Sequence, residues 1–238
     1  MNKKIKRILD KKNKSKIICL TAYSKNIAAI LDKHCDLILV GDSLGSVLYD
    51  FKSTKEVSLD TMINHSKSVR FGVKRSLMVV DMPYNTYRNN KEALRNAKLV
   101  MKKTKCDAVK LEGGKKIISI VRTLIKNKIP VMGHLGILPQ TEKKFFFKGK
   151  KIFEINKLLK DSKLLEKAGI FSIVLECVET KLAKKISENM KIPTIGIGSS
   201  AYCDGQVLVT DDLIGLSESK LKFVKKYVNI NKIVNSAV

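Results

Sequence analysis

Tryptophan is absent from the 238 residues and proline occurs only four times. No apolar run approaches the roughly 18 residues that a membrane helix needs, so a spanning helix and a membrane partner are not expected. The five cysteines (Cys19, Cys35, Cys106, Cys177 and Cys203) are odd in number and form no Cys-x-x-Cys pair. That pattern argues against a disulfide framework and against a zinc knuckle. Three of them lie in or beside apolar runs, where a free cysteine behaves as a small hydrophobe, and a reducing compartment fits. Arginine is scarce as well. Basic residues outnumber acidic ones 47 to 22, a formal charge of +25, yet only six of the 47 are arginine. Readers of base edges and phosphates favour arginine, and the lysines are spread along the whole chain. A specific nucleic-acid partner is therefore not expected. Abundant Lys, Asn and Ile read as drift toward A/T-rich codons. The basic N-terminus has no apolar stretch behind it and so is not a secretory signal. The expected location is cytoplasmic.

What is present is a globular composition, 44% hydrophobic and 29% charged, and a chain long enough to bury a core without staples. Eight short apolar runs organise it: IICLTAY (17–23), LILVGDS (37–43), LMVVDMP (77–83), AVKLEGG (108–114), IPVMGHLG (129–136), SIVLECV (172–178), IPTIGIGS (192–199) and QVLVTDDL (206–213). Near-continuous apolar runs mark strands buried on both faces of a parallel sheet. Helical periodicity lies between them over 60–71 (with Asp60 as N-cap), 90–104, 115–128, 152–169 (stopped at Gly169) and 179–190. Eight strands alternating with helices in one domain, residues 1–238, predict an α/β fold of the (β/α)8 TIM-barrel kind. Too few residues separate the last two runs for a full crossover helix, so the seventh helix is expected to be short or degenerate. An open doubly wound sheet is the alternative. The loop TAYSKN after the first strand has no glycine, so a dinucleotide fingerprint is missing. The tail from Ser217 reads as an amphipathic helix with Leu221, Val224 and Val228 on one side.

In such a barrel the active site forms at the carboxyl ends of the strands. Those ends carry Tyr23, Asp42-Ser43, Asp81, Lys110 and Glu112, His134, Glu176, Ser199-Ser200 and Asp211-Asp212. A single acid there often only caps the next helix. Asp42, Asp81 and Glu112 come from three successive strands, which lie about 4.8 Å apart. Three such carboxylates repel unless a cation joins them, and an all-oxygen set suits Mg²⁺ better than Zn²⁺. The competing reading pairs one or two of them with Lys110. Lys110 and Glu112 share one face of a strand. Lys110 can hold a substrate carboxylate; Schiff-base chemistry would need a depressed pKa, which an acid-rich site opposes. Glu176, isolated among apolar neighbours, would have a raised pKa and suit general-base work. His134 is the only histidine at a strand end; His34 and His65 read as surface or packing residues. Together these residues predict Mg²⁺-assisted enolate chemistry on a small 2-oxo acid.

VGDSLG (40–45), DMP (81–83), VKLEGG (109–114), GHLGILPQ (133–140), LECV (175–178), IGIGSS and DGQVLVTDDLIG (195–215) resemble, in this order, the 3-methyl-2-oxobutanoate (ketopantoate) hydroxymethyltransferase family. The resemblance implies a (β/α)8 barrel assembled as a homo-oligomer, often a decamer. It implies transfer of a one-carbon unit from 5,10-methylenetetrahydrofolate, the co-substrate, to 3-methyl-2-oxobutanoate through a Mg²⁺-stabilised enolate, giving 2-dehydropantoate for pantothenate biosynthesis. On the matching motifs, Asp42 and Asp81 would ligate Mg²⁺ and also face the substrate, and Glu112 would complete the metal site through water. Ser43 and Lys110 would bind the oxo acid, Glu176 would be the base, His134 would line the site and Tyr23 would lie at its edge.

The chain departs from the family pattern in four places. It reads TAYS where TAYD is usual, and KKFFFKGKK where a glycine-rich flap is usual. Asp211 replaces a His, and the C-terminal segment is shorter. None removes a proposed ligand or base, so activity is expected to be retained. The rings at Phe145–Phe147 are expected to fold onto the barrel mouth or a subunit neighbour rather than to stack bases. Two further readings compete: a Mg²⁺-dependent lyase of the phosphoenolpyruvate mutase and isocitrate lyase type, and a non-catalytic basic binding protein.

Overall fold

The computed structural model describes residues 2–142, 146–217 and 221–238. Eight parallel strands close into a barrel in sequence order: β1 (Ile17–Thr21), β2 (Leu37–Val40), β3 (Leu77–Asp81), β4 (Ala108–Glu112), β5 (Val131–Gly136), β6 (Ser172–Glu176), β7 (Thr194–Ile197) and β8 (Gly205–Leu208). β8 returns to β1, pairing Ile17–Leu20 with Gly205–Leu208. All eight predicted runs contain strands; six end two or three residues early and β8 five, because the chain turns there into the loops that carry the site, while β5 keeps its predicted end at Gly136. The closed order excludes the open doubly wound sheet.

Among the described residues ten α-helices accompany the barrel: α1 (Lys3–Asp10), α2 (Lys25–Leu31), α3 (Leu44–Leu48), α4 (Leu59–Gly72), α5 (Asn90–Thr104), α6 (Ile118–Lys126), α7 (Ile152–Ala168), α8 (Thr180–Asn189), α9 (Thr210–Leu213) and α10 (Ile230–Ala237). α4 starts earlier than expected. The Ser58 hydroxyl, not Asp60, caps it by accepting from Thr61 N–H at 3.0 Å. The predicted helix over 115–128 is a tight turn at Lys115–Ile117 followed by α6. α7 ends as expected at Gly169, whose φ of 102° suits a residue without Cβ. No helix joins β7 to β8 across residues 198–204. The helix directly after β8, α9, has only four residues, and Ile18 on the outer face of the neighbouring β1 is 51% exposed.

Two apolar layers hold the fold. Cys19, Leu39, Val79, Met132, Val174 and Val207 fill the barrel interior, and a larger layer lies between barrel and helices. α1 was not foreseen from the sequence. Its Ile5 and Ile8 are buried against the amino ends of the strands, and Lys12 at its end pairs with Asp204 at 2.8 Å. α2 and α4 cross so closely at Gly72 that an added Cβ would meet Lys25 O at 2.4 Å.

Asp32, just after α2, sets the entry to β3. Its buried carboxylate accepts backbone N–H groups of Lys74, Arg75 and Ser76 at 2.7–3.0 Å. Burial alone would raise its pKa, but these donors hold the carboxyl below its usual range. The charged form therefore stabilises the fold above about pH 4, the unfolded value, and that contribution fades as pH falls through the lower folded value. Asp32→Asn is expected to cost about 2 kcal/mol at neutral pH. Thermal melts of the two proteins should converge in acid; an equal gap at all pH values would refute this origin.

Candidate active site

Parallel register brings the strand-end side chains together. Asp81 lies opposite Lys110, and Glu112 opposite His134. Lys110 Nζ sits 3.0 Å from Asp81 Oδ1 and 3.2 Å from His134 Nδ1. His134 Nδ1 is 3.4 Å from Glu112 Oε1, and its Nε2 is 3.2 Å from Glu176 Oε2. Asp42 lies just past β2, where its backbone N–H donates to Asp81 Oδ2 at 3.1 Å. Asp42, Ser43, Asp81, Lys110, Glu112, His134 and Glu176 all line one cavity of about 570 Å³ at the barrel mouth. Tyr23 does not line it. Its hydroxyl shares a 2.8 Å hydrogen bond with Ser43 Oγ, so it acts on the cavity through that residue.

Burial governs the electrostatics. Burial, Asp81 and Glu112 together push the Asp42 carboxyl up to about 8. Burial also raises Asp81 despite the neighbouring ammonium. Lys110 shows the opposite balance: burial opposes its charge, but Asp81, Glu112 and Asp42 outweigh it and raise its pKa. The amine is held as an ammonium, which is wrong for a Schiff base and right for binding a carboxylate. Burial and Lys110 would depress His134, yet Glu112 and Glu176 lift it to about 9. Burial would raise Glu112, but His134 and then Lys110 hold it below the usual range. Glu176 is not isolated among apolar groups as the sequence suggested, because His134 from β5 reaches it.

The cation reading is narrowed by this geometry. Among the described residues no three His, Cys, Asp or Glu side chains form a ready metal cluster. Glu112 is already engaged, Oε1 by His134 and Oε2 by the Gln140 backbone N–H at 3.1 Å. Asp42 and Asp81 remain, two buried adjacent carboxyls, and Asp81 Oδ1 lacks an aligned hydrogen bond despite its nearness to Lys110. That pair fits a hard divalent cation, with Glu112 one layer behind.

One residue of the site, Gln140, was missed. Gln140 Nε2 donates to Asp42 Oδ2 at 2.8 Å and to Met82 O at 2.9 Å, while its Oε1 accepts from the Tyr87 hydroxyl. Gln140 thus orients both Asp42 and Glu112. It stands in GHLGILPQ, where its spacing from the acids carries no periodic signal. Ser199 and Ser200 turn away, the former donating to Val178 O. Asp211 and Asp212 sit in α9, past the strand end. His65 is half-buried, its Nδ1 2.8 Å from Tyr23 O and its Nε2 2.8 Å from the Tyr49 hydroxyl, in keeping with a packing role.

The described parts of loop 141–151 are pinned rather than folded over the mouth. Lys148 pairs with Glu142 at 2.6 Å and bridges to Val178. Phe146 and Phe147 are 66% and 47% exposed, so of the two expected partners the barrel mouth does not cover them and the subunit neighbour is left; Phe145 lies outside the described residues. The expected tail helix with Leu221, Val224 and Val228 is an irregular strap, with helix only from Ile230. Its backbone bonds instead to the turn after α9, through Tyr227 N–H to Leu213 O and Ile230 N–H to Ile214 O.

A family model described as Ketopantoate hydroxymethyltransferase matches residues 2–238. A 3-methyl-2-oxobutanoate hydroxymethyltransferase of Pelagibacter ubique (strain HTCC1062) is 71% identical over 237 residues, covering 100% of this chain and 92% of the relative. The enzyme of the same name in Rhizobium etli is 47% identical over 237 residues, covering 98% and 87%. Among solved structures, phosphonopyruvate hydrolase in complex with oxalate and Mg²⁺ aligns with a TM-score of 0.65 at 9% identity, over 98% of this chain and 84% of that one. A 2,3-dimethylmalate lyase aligns at 0.63 and 12% identity, over 98% and 80%. At such identities the structural likeness shows the barrel alone.

Proposed function

The chain belongs to the ketopantoate hydroxymethyltransferase family, and from that premise we propose that it moves a one-carbon unit from 5,10-methylenetetrahydrofolate to 3-methyl-2-oxobutanoate, giving 2-dehydropantoate. The observation that carries this reading is a buried polar floor with a fixed ammonium, Lys110, and a carboxylate, Glu176, placed across His134 from it. Lys110 and Ser43 bind the oxo-acid carboxylate. Asp42 and Asp81 would hold a hard divalent cation, Mg²⁺ in our assignment, with Glu112 assisting through water. When bound, that ion supplies positive charge beside the keto oxygen. Glu176 removes the proton from C3 of the acid. His134, held by Glu112, orients Glu176 and balances its charge. Water takes the methylene carbon off the folate as formaldehyde, both C–N bonds breaking to leave tetrahydrofolate; the enolate carbon then bonds to that carbon, and the alkoxide formed takes up the proton held by Glu176.

The lyase reading is weaker. The relatives at 71% and 47% identity are hydroxymethyltransferases, whereas the lyases share the barrel only. All five cysteines are also free and buried. We assign the enzyme to the cytoplasm as a homo-oligomer, a decamer by analogy with its family. The exposed Ile18 on the outer face of β1 and the exposed apolar residues Ile233 and Val234 of α10 support association. No helix among the described residues is long and apolar enough to cross a membrane.

Proton NMR in D₂O tests the reaction. With protein, Mg²⁺ and methylenetetrahydrofolate, the C3 proton of 3-methyl-2-oxobutanoate should disappear and a hydroxymethyl resonance should grow. A C3 proton that persists with Mg²⁺ present would end this reading.

A further inference from the structure

Gln140 holds two of the three acids of the floor, and it engages one oxygen of each. Its side-chain Nε2 donates to Asp42 Oδ2 at 2.8 Å, and its backbone N–H donates to Glu112 Oε2 at 3.1 Å. The other Glu112 oxygen faces His134 Nδ1 at 3.4 Å. Asp81 Oδ2 accepts the Asp42 backbone N–H at 3.1 Å. Asp42 and Asp81 thus each have one oxygen committed to the protein and one, Oδ1, left over. Both oxygens of Glu112 are engaged.

The amide is fixed in this sense. Its second N–H donates to Met82 O at 2.9 Å, and its Oε1 accepts the Tyr87 hydroxyl. A reversed amide would set its oxygen against a carboxylate and a carbonyl, two acceptors. Gln140 is 1% exposed, so no bulk water replaces a lost partner. Its backbone is held as well. Pro139 restricts the chain just before it, Leu138 O accepts the N–H groups of Thr141 and Glu142 at 2.9 Å, and Ile137 N–H reaches Glu176 O at 2.9 Å.

The number of oxygens offered per carboxylate separates hard cations. Ca²⁺ takes about six to eight oxygens and accepts bidentate carboxylates, whereas Mg²⁺ is octahedral, keeps several waters and is bound by only one or two carboxylates. Resting on the cation assignment proposed above, we propose that Gln140, held in place by Tyr87, sets the metal selectivity of the site. By restricting Asp42 to one free oxygen and keeping Glu112 behind it, the residue favours Mg²⁺ over Ca²⁺. Gln140 is a positioning residue, acting on the ion through Asp42 and Glu112.

The test follows Mn²⁺ by electron paramagnetic resonance in protein saturated with 3-methyl-2-oxobutanoate, then displaces it with Mg²⁺ or Ca²⁺. Wild-type protein should prefer Mg²⁺ by at least about tenfold. Gln140→Met keeps the length of the side chain and removes the amide, so Asp42 has both oxygens to offer. Mg²⁺ affinity is expected to fall about tenfold, and the preference for Mg²⁺ over Ca²⁺ at least about fivefold. General damage to the site would weaken both ions alike, so the ratio rather than either affinity reads this role. Tyr87→Phe leaves Oε1 without its donor and should shift the ratio in the same direction by about two- to threefold. An unchanged ratio in either variant overturns the proposal. So does a wild-type protein that takes Ca²⁺ as readily as Mg²⁺, a comparison that holds even if a variant fails to fold. The two assignments fail differently: wild-type protein that binds no Mn²⁺ removes the cation from the proposed function and its selectivity with it, whereas Mn²⁺ binding without preference for Mg²⁺ removes the selectivity alone.

Discussion

Glu176→Gln is expected to lose about 10²–10⁴-fold in turnover while still binding 3-methyl-2-oxobutanoate. Gln has nearly the same shape, so His134 Nε2, 3.2 Å away in the parent, still faces an oxygen or a nitrogen. The amide cannot take a proton from carbon. No other group on the floor replaces it: Lys110 is held as an ammonium, His134 is lifted to about 9 and is charged at neutral pH, and Glu112 is engaged by His134 and Gln140. The measurement pairs steady-state rates with C3 proton exchange in D₂O and calorimetry of the oxo acid. Exchange at the parental rate with intact binding would move the base elsewhere.

Lys110→Met should be the most damaging single change to stability. Methionine keeps the length of the side chain and removes the charge. Asp81 and Asp42 then remain buried without their ammonium, with only the His134 imidazolium beside Glu112 left to balance the three acids, a situation that costs about 3–5 kcal/mol. The pH dependence follows from the direction of the shifts. Asp42 and Asp81 already have folded pKa values above the usual carboxylate range, and without Lys110 they rise further. A raised folded pKa favours the protonated folded protein, so the variant should be closest to the parent below about pH 4 and lose ground as pH rises through the folded values. Urea unfolding at pH 5 and pH 8 reads this directly. A variant as stable as the parent at pH 8 would mean that the acids are not sharing one counterion. Activity should fall with stability, because the substrate carboxylate loses its partner.

The barrel was legible because its signals are local and repeated. Runs such as LMVVD and AVKLE are buried on both faces, and each ends in the residue that enters the site. Asp42, Asp81, Lys110, Glu112, His134 and Glu176 could be placed together because strand ends converge in this topology whatever the loops do. Gln140 could not, because its contacts to Asp42 and Met82 span 98 and 58 residues and obey no period. The strap failed for a different reason. Leu221, Val224 and Val228 do show helical spacing, but the backbone found partners on α9 and the Phe223 ring found Gly198, and tertiary contacts override so weak a preference. α1 was readable in retrospect from Ile5 and Ile8 at i, i+3 but was masked by the surrounding lysines. Tyr23 and Glu176 were found but their surroundings were misjudged, since neither the Ser43 hydroxyl nor the His134 ring is near them in sequence.

The closure of β8 on β1 has a kinetic side. Every other strand pair joins segments separated by one crossover, but this ladder joins residues 17–20 to 205–208. Closing so long a loop carries the largest entropy cost of any pairing in the barrel. Little at the seam repays it early: Ile18 on the outer face is exposed, and no helix follows β7. What does repay it is Asp204, which accepts from Lys12 and Asn13 on one side of the seam and from Thr194 on the other. The amino-terminal segment thus meets the last strands through one buried carboxylate. A refolding chain can make seven strand pairings before it has any reason to make the eighth, and this clasp sets how long the open cylinder survives.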